Sequence, residues 1–145
     1  MSLNKSAYFN INFLDFPTIN SNNKSQFESY FIDYSPSKWE VGSCGASFVY
    51  FDSDEQKYSL VVMQDSRYGF CLMYEPSSNG CYSLGDKSLL TNFVENYDEI
   101  TMPLGTYISP EQAWLAVADF LDNPYQPSQR IKWVNDNDIS WTDIF

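Results

Sequence analysis

The sequence predicts an α+β fold: an antiparallel β-sheet meander with an N-terminal helix and a C-terminal helix packed on it. Three observations lead there. Two stretches, around Phe27 and around Trp114, repeat their apolar residues at helical spacing. Between them lie short alternating apolar runs separated by turn chemistry. The length of 145 residues suits a single domain, 1–145, with one hydrophobic core, and no internal repeat or linker divides it.

At the start, Ala7, Phe9, Ile11 and Phe13 alternate with Tyr8, Asn10 and Asn12, the pattern of a half-buried strand. Pro17 and the polar residues from Asn20 to Asn23 form a loop. Ser25 and Glu28 make a capping-box pattern for the first helix, whose apolar face is Phe27, Tyr30, Phe31 and Tyr34. Ser35-Pro36 should stop it.

Strands are expected from Ala46 to Phe51, Lys57 to Gln64, Phe70 to Tyr74 and Cys81 to Leu84, with turns at Asp52–Glu55, Ser66–Gly69 and Pro76–Gly80. Such short connections join antiparallel neighbours. Leu60-Val61-Val62-Met63 is apolar on both faces, which marks a central strand covered on two sides. Asn92 to Val94 and Ile100 to Met102 suggest two further strands.

The C-terminal helix has the fullest signal. Ser109 can cap it, Pro110 suits its first position, and Gln112 completes a capping box. Ala113, Trp114, Val117, Phe120 and Leu121 give one broad apolar face. Asn123-Pro124 ends the helix, and Arg130 to Val134 reads as a strand with Ile131 inward. Trp141, Ile144 and Phe145 imply a tail that docks.

Charge and composition limit function. The chain has 8 basic and 19 acidic side chains, a net charge of −11, which opposes phosphate on nucleic acid or anionic lipid and favours a basic protein partner. Residues 88–129 contain no lysine or arginine, so their acids are locally uncompensated. No apolar run has membrane-spanning length, and the first residues lack a signal-peptide pattern. Cys44, Cys71 and Cys81 form neither a disulfide framework nor a zinc spacing. Buried reduced thiols and a cytoplasmic location are expected.

The chain has no histidine, which removes Ser-His and Cys-His pairs and imidazole metal sites. It has no phosphate-binding glycine loop and no nucleophile elbow. Carboxylates at Asp98-Glu99, or at Asp52, Asp54 and Glu55, could do acid–base work, but adjacent acids in turns are usually solvated. The 52–55 turn has calcium-like composition without the ligand spacing or glycine of an EF-hand. No enzymatic activity, cofactor or metal is therefore expected. Trp114 and Trp133 read as core; Trp39 and Trp141, in less periodic surroundings, could be interface anchors, with plain packing the better single reading of each.

The order strand, helix, meander, then Ser109-Pro110-Glu111-Gln112-Ala113 at a helix start, resembles the Imm1 family of bacterial immunity proteins. The resemblance continues in Phe120-Leu121, in Pro124 and Pro127, and in Ile131-Lys132-Trp133. It spans most of the chain in element order and is motif-like over the last forty or so residues. The chain departs from the family at Asn123-Pro124-Tyr125, where a glycine is expected. The resemblance implies a small α+β protein that neutralises a cognate toxin of interbacterial competition, often a nucleic-acid deaminase; the function expected for this chain is to bind such a toxin in the cytoplasm and block its active site. The motif lies on the scaffold and supplies no contact residue.

On charge and loop position alone, the expected partner-binding residues are Asp52, Asp54 and Glu55 in one turn, with Glu95, Tyr97, Asp98 and Glu99 in the base-free segment. The alternative is an acidic adaptor or structural binding domain without a toxin partner.

Overall fold

The computed structural model describes residues 6–41, 45–76, 79–96 and 99–141. The chain is α+β. Strands β2 (Gly45–Phe51), β3 (Lys57–Asp65), β4 (Gly69–Glu75) and β5 (Cys81–Leu84) form the expected antiparallel meander, and the first strand, β1 (Tyr8–Phe13), joins it antiparallel to β2. β9 (Lys132–Asn135) adds antiparallel to β5 at the far edge. The sequence did not announce β8 (Tyr107–Ile108), a two-residue strand just before the C-terminal helix. It pairs with the first half of β4, while β5 pairs with the second half.

Between those two partners the backbone amide of Leu72 would go unpaired. The buried Ser83 hydroxyl accepts from it at 2.9 Å and donates to the Thr106 carbonyl at 2.6 Å. One side chain thus completes the ladder where the sheet splits. Gly85 and Gly105 let the chain after β5 and the chain before β8 touch: the amides of Gly85 and Asp86 both donate to the Gly105 carbonyl, at 2.7 and 3.1 Å. A Cβ on Gly85 would press into the Tyr107 carbonyl oxygen, and one on Gly105 into that of Asp86.

β6 (Phe93–Glu95) and β7 (Thr101–Pro103) confirm the two weaker strand expectations. They form a separate hairpin and do not extend the main sheet.

One face of the main sheet carries Phe9, Ile11, Phe13, Phe48, Leu60, Val62, Phe70, Leu72 and Tyr74, all buried. Helix α3 (Pro110–Asp122) packs on it through Ala113, Trp114, Val117, Phe120 and Leu121. Its start is the predicted capping box: the Gln112 amide donates to the Ser109 hydroxyl, and the Ser109 amide to the Gln112 side chain, each at 3.2 Å.

The N-terminal helical region differs from expectation. Asn23, not Ser25, supplies the cap, accepting from the Ser25 amide, and a 3₁₀ turn precedes the short α1 (Glu28–Ile32). Pro36 opens α2 (Pro36–Trp39) and is not merely a stop, because proline fits the first helical turn, where no amide donor is needed. Trp39 at its end is fully buried, so it is a core residue and not an interface anchor.

The opposite face of the sheet is only half covered. The β6–β7 hairpin and Trp141 shelter Cys71, Tyr107 and Met102, with Met63 and Tyr82 beside them. Over β1 and β2, Tyr8, Asn12, Ser47, Val49 and Phe51 are half-buried or exposed, and so is Val61 of β3. Of the Leu60-Val61-Val62-Met63 run expected to be covered on two sides, Leu60 and Val62 are buried on the helical face, whereas Val61 and Met63 on the opposite face are only half-buried. The outer edge of β1 is closed by the loop after it. Ile11 and Ile19 exchange hydrogen bonds of 2.8 and 2.9 Å, and the Asn20 side-chain Nδ2 donates to the Phe9 carbonyl at 2.9 Å. That protects an edge which would otherwise recruit another strand.

Candidate functional site

The acids singled out on charge alone fall at opposite ends of β3. Asp54 and Glu55 are exposed in the β2–β3 turn, whereas Glu95 and Glu99 are exposed at the β6–β7 hairpin, beside Met63 and Asp65. The rise of a strand puts those ends about 26 Å apart, so the residues do not form one patch. Tyr97 and Asp98 lie outside the described residues.

Asp52 is a further correction. It is 8% exposed, and its carboxylate accepts from the amides of Asp54 and Gln56, each at 2.9 Å. Its backbone also closes the turn, through Asp52 N to the Gln56 carbonyl and Glu55 N to the Asp52 carbonyl, both 3.0 Å. Asp52 therefore shapes the turn, its carboxylate engaged by its own backbone, unlike the exposed side chains of Asp54 and Glu55. With Glu55 at φ 62°, a left-handed position, the turn tip projects the Asp54 and Glu55 side chains outward.

Around that tip the structure gathers rings that charge could not reveal. On the open sheet face, Tyr8 stacks on Phe51 with centroids 5.1 Å apart. Their neighbours include Asp52 and Glu55, with which they line a shallow concavity of roughly 250 Å³. On the helical face, Tyr125 makes edge contacts with Tyr50 at 5.6 Å and Tyr58 at 4.9 Å. Tyr125 is brought there by the turn after α3, which the Tyr74 hydroxyl pins by donating to the Pro124 carbonyl at 2.8 Å. A hydrogen bond to Tyr50 pushes the Tyr125 phenol up to about 12. Tyr8 and Tyr125 remain 48% and 51% exposed. Tyrosine at a surface gives large, stiff, amphipathic contact area at low entropic cost.

Two other features are structural. The concavity beneath the post-helix turn is lined by Asp119, Asn123, Ser128 and Arg130 among others, and the side chains of Asp119, Ser128 and Arg130 are engaged with one another. Asp119 accepts from Arg130 Nε at 3.0 Å and Nη2 at 2.7 Å, and from the Ser128 hydroxyl. Partial burial works to raise the Asp119 pKa. The Arg130 and Ser128 hydrogen bonds, with the charges of Arg130 and Lys24, outweigh it and hold the carboxyl below its ordinary value. A depressed carboxyl stabilises the fold above its unfolded-state pKa and ceases to do so as pH falls through the folded value. Asp119→Asn is thus expected to be less stable than the parent at pH 7, with the gap closing below about pH 4. Urea denaturation at both ends of that range measures it.

The thiols are likewise not a site. Burial pushes Cys71 up to about 12 against the opposing Thr106 hydrogen bond, and Cys81 up to about 11, so neither is an available thiolate at neutral pH. Cys44 lies outside the described residues. Among the described residues no group of histidine, cysteine and carboxylate side chains is placed to hold a metal, and no helix is long and apolar enough to cross a membrane. Neither a protein-family model nor a curated protein matches the chain.

Proposed function

We propose that this protein is an immunity protein that binds a cognate toxin domain and blocks its active site without catalysing a reaction. The carrying observation is an acidic surface, at net charge −11, that displays tyrosines around a projecting turn on a well-packed scaffold. A toxin that handles nucleic acid, such as a deaminase, must present a basic cleft, and an acidic protein surface can fill that cleft in place of phosphate. Covering the pocket that receives a flipped base would abolish turnover. The resemblance of residues 109–133 to the Imm1 family supports the same reading. On this reading the protein acts in the cytoplasm of the producing cell, needs no cofactor, and binds neither DNA nor membranes directly.

The test is co-expression with the toxin domain encoded beside this chain's own gene. Rescue of growth by this chain alone is expected, together with a purified complex of the two. Failure to rescue, or the lack of any toxin gene alongside, rejects the proposal and leaves the adaptor reading in its place.

A further inference from the structure

We propose that the partner docks on the β2–β3 end of the sheet, around Tyr8, Phe51, Asp54, Glu55, Tyr58 and Tyr125, and that it is a protein presenting arginine side chains to those rings and carboxylates. The inference rests on the reading of the chain as a binding protein and adds which surface binds and what chemistry it meets.

The placement argues for it in three ways. First, rings and charge coincide there. Tyr8 and Tyr125, two of the most exposed large side chains, pack on Phe51 and on Tyr50 and Tyr58, at the strand ends joined by the turn that exposes Asp54 and Glu55. Second, the chemistry matches arginine better than other groups. A guanidinium is weakly hydrated, stacks on a tyrosine face and pairs with a carboxylate through the same planar edge. Among the described residues of β2, β3 and the turn between them Lys57 is the base, exposed at the start of β3, beside the two exposed carboxylates of Asp54 and Glu55. Third, other occupants fit poorly. Phosphate on nucleic acid or lipid meets negative charge, and a second copy of this chain would bring another −11 to the contact.

The hairpin end is the weaker candidate. Glu95 and Glu99 are exposed there, but the Glu95 carbonyl and the Asn96 side chain serve to fasten the hairpin, at 3.0 Å from Arg67 and 4.0 Å from the Met63 sulfur. Val94, Phe93 and Trp141 lean inward and are half-buried.

The test needs no toxin. Amide NMR spectra of the full chain are recorded while adding a blocked peptide of alternating arginine and leucine, with a glutamate–leucine peptide and a single-stranded oligonucleotide as controls. Shifts from the arginine peptide should concentrate at residues 8, 50–58 and 125. The Asp54→Lys/Glu55→Lys variant, altered only at exposed side chains, should weaken that binding at least tenfold with an unchanged melting temperature. Tyr125→Ala should weaken it several-fold. Shifts spread evenly over all exposed acids, strongest at the hairpin, or unaffected by the double variant would overturn the proposal, as would equal binding of the oligonucleotide. Rescue of cells with unaltered potency by the same double variant would overturn this surface and leave the immunity reading standing, whereas failure of the parent chain to rescue would sink that reading and not this one.

Discussion

Trp39→Ala should cost about 3–5 kcal/mol of folding stability, the usual range for emptying a buried tryptophan site. For a domain whose whole stability is about 5–15 kcal/mol, that is a large share. The indole sits where β1, α1 and β4 meet, with ring centroids 5.4 Å from Phe13, 5.2 Å from Phe31 and 5.0 Å from Phe70. Its Nε1 donates to the Tyr30 carbonyl at 2.9 Å, which fastens α2 to α1 across the loop between them. Truncation would leave a cavity among stiff aromatic rings that cannot close over it, and would free the carbonyl. The melting temperature should fall by roughly 10 °C for a chain of this size. Trp39→Phe should recover much of the loss, since it refills the ring contacts and gives up only the hydrogen bond. An interface anchor behaves oppositely: its removal spares stability and weakens binding. Urea denaturation followed by circular dichroism separates the two outcomes.

Trp39 also shows where sequence reasoning reaches its limit. The pattern around Trp114 was legible because a thirteen-residue helix repeats its apolar face often enough to be counted. A four-residue helix such as α2 has no period to read, so the burial of Trp39 follows only from how the chain packs. The meander was legible for a related reason: alternation within β2, β3 and β4 and strong turns between them define local pairing. What local pattern omits is the third dimension. Nothing near Tyr107 says that it pairs with Cys71, and nothing near Tyr125 says that it reaches Tyr50 and Tyr58.

The candidate surface divides the same way. Charge in turns correctly placed Asp54 and Glu55 outside, yet the same rule selected Asp52, because composition does not say which turn carboxylate is spent on its own backbone. A signal was present in the Asp52-x-Asp54-x-Gln56 spacing, since an aspartate opening a turn commonly accepts amides two and four residues on. The rings that complete the surface come from three distant segments, and no single window of the sequence contains them.

The second large effect belongs to the clamp between Asp65 and Arg67, at the opposite end of β3. Asp65 is fully buried, and its carboxylate accepts from Arg67 Nε at 3.0 Å, from Nη2 at 2.8 Å, and from the Arg67 backbone amide at 2.9 Å. The guanidinium lies 4.8 Å from the Tyr68 ring and donates onward to the Glu95 carbonyl at 3.0 Å. One residue thereby neutralises a buried charge and ties the hairpin to the sheet. Removing either partner of such a pair does not cost the same. Arg67→Ala leaves a dry carboxylate short of its counter-charge and should cost about 3–5 kcal/mol. Asp65→Ala leaves a guanidinium that is already 46% exposed and can turn to water, so its cost should be smaller, about 1–3 kcal/mol, mostly for the turn amide it abandons. The double variant should then be less unstable than the sum of the two, and the difference, read from a double-mutant cycle in urea, measures the coupling. Hydrogen exchange adds a readout that a merely local turn defect would not move. Amides of β6 and β7 should lose protection in Arg67→Ala before those of β3 do, because the link to the Glu95 carbonyl goes with the side chain. Equal costs for the two single variants, or hairpin protection left intact, would mean that the clamp does not hold the hairpin in place.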